Sequence, residues 1–226
     1  MQSGVLWRFS KPYMRDYRVG KVNSPTVKLA EAVAASAAFP PFLSPLRLKL
    51  DPNLFTPNSG TDLQMEPFTS EAVLSDGGVY DNLGLETAWK RYKTILVSNG
   101  GGKLAPEGNP AGDWARHSKR ILDVIDNQVR SLRLRQLIGS FDLKTREGAY
   151  WGIRTDIREY GLSDALRCPH DNTLALANID TRLEALSDDI HERLINWGYA
   201  VCDAAMRRRV DSASSAPARF PYARGV

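Results

Sequence analysis

Two hydrophobic rhythms alternate along this chain, and they predict its elements. Leu46-Arg47-Leu48-Lys49-Leu50 alternates apolar and basic side chains, the mark of a strand with one covered face. Ala72-Val73-Leu74 is a short apolar run of a length suited to a buried strand, and Thr94-Ile95-Leu96-Val97-Ser98 and Ala149–Thr155 read the same way. Between them the rhythm lengthens. Leu29, Val33 and a dense set of alanines predict a helix over 26–39, closed by Pro40 and Pro41 and expected to be buried, since small residues allow close approach. Leu85, Ala88, Trp89 and Tyr92 recur at helical spacing in a helix beginning near Asn82. Ile121, Leu122, Ile125, Val129, Leu132 and Leu137 form one stripe over 114–138. A last helix is predicted over 188–209, with Ile190, Leu194, Ile195 and Met206 inward. Gly4 to Val22 read as short strands or a hairpin, and Asp51–Thr69, rich in Pro, Asn, Thr and Gly, as a long surface loop. The Ser-, Ala- and Pro-rich tail over 210–226 is expected to be disordered.

Strand, helix and strand over 72–98 suggest a βαβ crossover, hence an α/β fold with a mainly parallel sheet flanked by helices. The most informative site is Ser75-Asp76-Gly77-Gly78. Here a carboxylate ends a strand on a turn where glycine relieves crowding or permits positive φ, and a helix follows. Catalytic carboxylates of α/β enzymes commonly sit beyond the carboxyl edge of the sheet. An isolated Asp-Gly-Gly would more often be a simple turn. No Gly-x-Ser-x-Gly occurs anywhere in the sequence.

The 226 residues suffice for one sizeable core or two small ones, and 42% hydrophobic with 25% charged residues is ordinary for a globular chain. Thirty basic against 26 acidic side chains leave a charge of +4, compatible with an anionic membrane surface. Because the bases are scattered among acids, nucleic acid is not the expected partner. The faces carrying Arg116, Lys119, Arg120, Arg130, Arg133 and Arg135, and Arg207-Arg208-Arg209, read first as solvated. Cys168 and Cys202 read as free thiols in a reducing compartment, and neither a membrane span nor a signal peptide is evident, so a cytoplasmic protein is expected. His117, His170 and His191 are isolated. Cys168-Pro169-His170-Asp171 lacks the two spaced pairs of a zinc site, so neither metal nor cofactor is expected.

Two segments together carry a resemblance. Leu29-Ala30-Glu31-Ala32-Val33-Ala34-Ala35-Ser36-Ala37-Ala38-Phe39-Pro40-Pro41 resembles the alanine-rich, proline-ended helix of the patatin-like phospholipases, and Leu74–Gly84 resembles their Asp-Gly-Gly/Ala segment. Asn196-Trp197-Gly198-Tyr199 is similar to the closing helix of bacterial members, so the resemblance extends to about Arg209. It implies a three-layer α/β acyl hydrolase cleaving lipid esters with a Ser–Asp dyad, without cofactor or metal. Asp76 would be the general base, Gly77 and Gly78 would shape its turn, and lipid at a peripheral membrane contact would be the substrate. The family's oxyanion loop and nucleophile elbow should precede the Asp motif, and neither is found. The chain is therefore expected to be the C-terminal portion of such a domain over 1–209, inactive by itself. A truncated gene product, a wrongly chosen start and a relic acting through binding would each account for it. Ser36 sits in a run that favours plain helix rather than a sharp elbow, and reads as structural.

Overall fold

A computed structural model describes residues 1–180, 182 and 184–226. The chain divides into two compact units, Met1–Gly84 and Leu85–Val226.

The first unit begins with an antiparallel meander of β1 (Arg8–Phe9), β2 (Tyr13–Asp16) and β3 (Gly20–Asn23). Helix α1 (Leu29–Ser36) follows, capped by the Glu31 carboxylate, which accepts from the Lys28 amide at 2.9 Å. Strand β4 (Leu46–Lys49) then pairs antiparallel with β5 (Glu71–Leu74), Leu46 opposite Leu74. The alternation in β4 behaves as its sequence predicts: Leu48 is buried and Arg47 and Lys49 are exposed. Leu48, Ala72, Leu74 and Ala35 form one apolar cluster; Met14, Val19, Val22 and Phe55 form another, and Trp7 and Phe9 pack against both.

Asp16 is buried at the meander's second turn, where its carboxylate accepts from the Arg18 amide at 2.8 Å, the Val19 amide at 3.3 Å and the Ser3 hydroxyl. The segment 51–69, expected as a surface loop, is tied to the same turn. The Leu63 amide donates to the Arg18 carbonyl at 3.0 Å, Arg18 pairs with Asp62, and Phe55 is core. Gly60 is required there, because a Cβ would stand 2.6 Å from the Arg18 carbonyl oxygen. A polar, proline-rich composition conceals two aromatic anchors, Phe55 and the partly buried Phe68.

The α/β character is present, but most pairing is antiparallel. Strand β5 pairs with β4, so the crossover expected over 72–98 does not form as drawn. The parallel pair lies later, in the second unit. Strands β6 (Thr94–Asn99) and β7 (Glu147–Gly152) are parallel, joined through α4 (Trp114–Asp142). Asp113 caps α4, accepting from the Arg116 amide at 3.0 Å. Gly148, at φ +143°, lets β7 approach β6, since a Cβ would collide with the Ile95 carbonyl.

The stripe on α4 is mostly uncovered: Leu137 is buried, whereas Ile121, Leu122, Ile125, Val129 and Leu132 are exposed. Helix α6 (Asp188–Arg209) buries Asn196, Trp197, Ala200, Val201, Ala204 and Ala205, whereas Ile195 is exposed. Small alanines let the helix sit close to Ala149, Ile157, Tyr160 and Cys168, and the Trp197 indole donates to the Ile153 carbonyl at 2.9 Å. The tail returns to this unit. Asn196 donates to the Tyr222 and Gly225 carbonyls at 2.9 and 2.7 Å and accepts from the Tyr222 amide, while helix α5 (His170–Ala177) supplies Asn172 to the Val226 carbonyl. Phe220 and Val226 complete the core. No described helix is long and apolar enough to cross a membrane.

Arg207 is buried within the triple-arginine run and pairs with Asp203 at 3.0 Å and Asp164 at 2.8 Å. The pairing holds the Asp164 carboxyl below its usual range. Arg207→Ala is expected to lower stability by about 1–3 kcal/mol in urea denaturation, by leaving the largely buried Asp203 carboxylate without its partner, whereas Arg208→Ala is expected to be neutral. Burial pushes the Cys168 thiol up to about 11 and raises the Cys202 thiol, with the Asp203 charge adding to burial there. In iodoacetamide labelling at neutral pH, both are expected to react slowly in the folded chain and rapidly in urea.

Candidate functional site

Strand β5 ends at Leu74, and the chain turns through Ser75, Asp76 and Gly77 into a single helical turn, α2 (Gly78–Asp81). Two backbone bonds hold the turn against the end of α1. The Asp76 amide donates to the Ala38 carbonyl at 2.9 Å, and the Gly77 amide donates to the Ser36 carbonyl at 3.2 Å. A helix leaves its last carbonyls unpaired, so the two elements satisfy each other. The Ser75 hydroxyl adds a bond to the Ala38 carbonyl at 3.4 Å and accepts from Ser44 at 3.0 Å.

The Asp76 side chain is half-buried. Its Oδ1 accepts from the Gly78 amide at 2.6 Å. No other hydrogen bond to the carboxylate occurs among the described residues, which leaves Oδ2 available. Gly78 permits this geometry, because a Cβ there would lie 2.8 Å from Asp76 Oδ1 and 3.0 Å from Asn82 Oδ1. At Gly77 a Cβ would meet only the Ser36 hydroxyl, at 3.6 Å, and its φ of −61° suits any residue. Positive φ falls at Gly84 (+62°), where the chain leaves α2 before α3 (Leu85–Trp89). The helix expected from Asn82 is the short α3, with α2 as a separate turn before it.

Asp76 opens onto a groove of about 630 Å³ lined by Leu6, Trp7, Leu29, Val33, Val79 and Tyr80. Helix α1, expected to be buried, buries only Ala35 and presents Leu29 and Val33, 80% and 56% exposed, as a wall of this groove. That wall went unrecognised in the sequence, where an i, i+4 apolar pair reads as core. Ser36 ends α1 and lines the groove beside Asp76 and Gly77, so the structure brings together two residues that the sequence assigned different roles. Gly100-Gly101-Gly102 lies in the second unit, after β6. His117 and His191 are exposed and His170 is half-buried. Among the described residues no three His, Cys, Asp or Glu side chains gather in a metal-binding group.

The two glycines are expected to differ on substitution. Gly77→Ala should melt at or above the parent temperature, because it restricts the unfolded chain without a clash. Gly78→Ala should melt below Gly77→Ala, because its methyl displaces the Asp76 carboxylate; equal melting temperatures would show that the carboxylate is not held as described.

Comparison with curated proteins and with solved structures yields no match. A family model matches the first 89 residues except the extreme N-terminus, and so takes in both the alanine-rich helix and the Asp-Gly-Gly turn but not Asn196–Tyr199. Residues 3–89, the part of the chain that builds the groove and places Asp76 on it, match the patatin-like phospholipase family.

Proposed function

We propose that the first unit supplies the general base and acyl-binding wall of a lipid acyl hydrolase, with Asp76 as the base of a Ser–Asp dyad. The observation that supports this most is a carboxylate with one free oxygen at the mouth of an apolar groove. A serine hydroxyl is a poor nucleophile until a base takes its proton. In this reading Gly78 holds Oδ1 and Oδ2 receives that proton as the alkoxide attacks the ester carbonyl. Asp76 returns that proton to the departing alcohol oxygen as the ester C–O bond breaks; ionised again, it takes a proton from the water that attacks the acyl-enzyme and passes it to the serine oxygen as the free acid leaves. The acyl chain lies along Leu29, Val33, Val79 and Tyr80, where about 25 cal/mol is gained per Å² of apolar surface covered. Phospholipid ester is the proposed substrate, met at a cytoplasmic membrane surface by the exposed lips of the groove.

The nucleophile is proposed to come from a Gly-x-Ser-x-Gly turn, which this sequence does not contain. The assignment of residues 90–209 to the same patatin-like domain belongs to this proposal as well.

Fluorophosphonate labelling with peptide mapping separates the alternatives. The chain by itself is expected to take no stoichiometric adduct. An adduct on Ser36 would place the nucleophile on α1 and overturn the missing-elbow reading. In a protein that joins this chain to a Gly-x-Ser-x-Gly segment, Asp76→Asn is expected to lower kcat by at least about 100-fold, with unchanged melting. Retained turnover would remove Asp76 from the mechanism.

A further inference from the structure

The second unit carries a cleft of its own, of about 340 Å³, at the carboxyl ends of the parallel strands β6 and β7. Crevices at this edge of parallel pairs are where α/β folds receive ligands. Its floor and walls come from three places: the loop Asn99-Gly100-Gly101-Gly102-Lys103 after β6, Arg130 on α4, and Arg154 and Thr155 after β7. Among the described lining residues there are three cations against one acid, Glu159.

Asn99, Arg154 and Thr155 are held by hydrogen bonds. Asn99 accepts from the Gly101 amide at 2.9 Å, which folds the glycine loop over, and donates to the Tyr150 hydroxyl at 3.0 Å. The Arg130 guanidinium lies against that loop so closely that a Cβ on Gly101 would be 2.5 Å from Nη1. Glycine at 101 therefore lets a cation meet bare backbone, and any side chain would push the guanidinium out. Arg154 is anchored by the Ala177 carbonyl at 3.0 Å and the Asn178 side chain at 2.8 Å, while its Nε is buried and makes no hydrogen bond. The Thr155 hydroxyl accepts from the Gly152 amide at 2.9 Å, so its own proton is free to donate. Lys103 is exposed and makes no ion pair among the described residues.

We propose that this cleft binds a phosphate group, held by Arg130, Lys103 and the Thr155 hydroxyl over the glycine loop. Guanidinium and ammonium donors bond phosphate oxygens with charge assistance, and glycine backbone admits the anion closely. A lipid headgroup and a free phosphate or phosphomonoester present the same chemistry. The inference is independent of the acyl-hydrolase reading, because every residue it uses lies in the second unit.

Calorimetric titration of the whole chain with inorganic phosphate and with glycerol 3-phosphate tests it, beside co-sedimentation with phosphatidylcholine vesicles with and without phosphatidic acid. Saturable binding of either soluble ligand is expected, weakened at least about tenfold by Arg130→Gln and by Lys103→Gln. Vesicle binding that needs phosphatidic acid, competes with phosphate and falls in the same variants would identify a lipid headgroup. Soluble binding without vesicle binding would identify a free phosphate or phosphomonoester. Lys103, exposed on its loop, gives a variant that keeps the fold should Arg130→Gln fail to melt cooperatively. Absence of binding in every arm, or binding that both variants leave unchanged, would overturn the proposal.

Discussion

The pairing of the Asp76 and Gly77 amides with the Ala38 and Ser36 carbonyls governs the candidate site. A helix end and a strand end each need backbone partners, and here they find them in one another. The bond pattern positions α1 beside the turn, so Leu29 and Val33 become a groove wall instead of core. It also fixes the backbone of Asp76, so the remaining freedom of the carboxylate is small and the Gly78 amide removes most of it. A hydrogen-bonded acid thus stands at the lip of an apolar groove.

The two units solve the problem of a small core differently. The first relies on aromatics shared between clusters, Trp7 and Phe9, and on the Asp16 hub that ties the N-terminal strands to Arg18 and through it to residues 62–63. The second relies on close approach. Gly148 brings β7 to β6, and alanines along α6 bring that helix onto β7, so a two-stranded sheet holds a core that includes Trp197, Tyr160 and Val226. Buried Asn196 is fully supplied with partners and clasps the terminal segment with three hydrogen bonds.

Each unit also has a cleft of a different chemistry. The groove beside Asp76 is apolar with one acid; the cleft at the end of β6 and β7 is cationic with one acid. Arg130 shows how the second was concealed. On a helix with Arg116, Lys119 and Arg120 it reads as one more solvated base, yet Arg116, Lys119 and Arg120 pair with Asp113, Asp123 and Glu107, and Arg130 turns to the glycine loop.

What the sequence by itself determined was local. Alternation drew β4, periodicity drew α4 and α6, with α6 placed at its observed residues, and Asp-Gly-Gly marked the turn that carries Asp76, because these features depend on neighbours within a few residues. The match over residues 3–89 agrees with the resemblance read from the first two motifs. Tertiary structure decided the rest. Strand partners depend on residues far apart in the chain, so β5 took β4 and the parallel pair fell to β6 and β7. Burial depends on what arrives opposite a stripe: Ile195 and most of the α4 stripe remained exposed, while Ala204 and Arg207 were enclosed. Composition likewise hides the seat of the tail, where Asn196, some 30 residues upstream, offers it a donor and an acceptor.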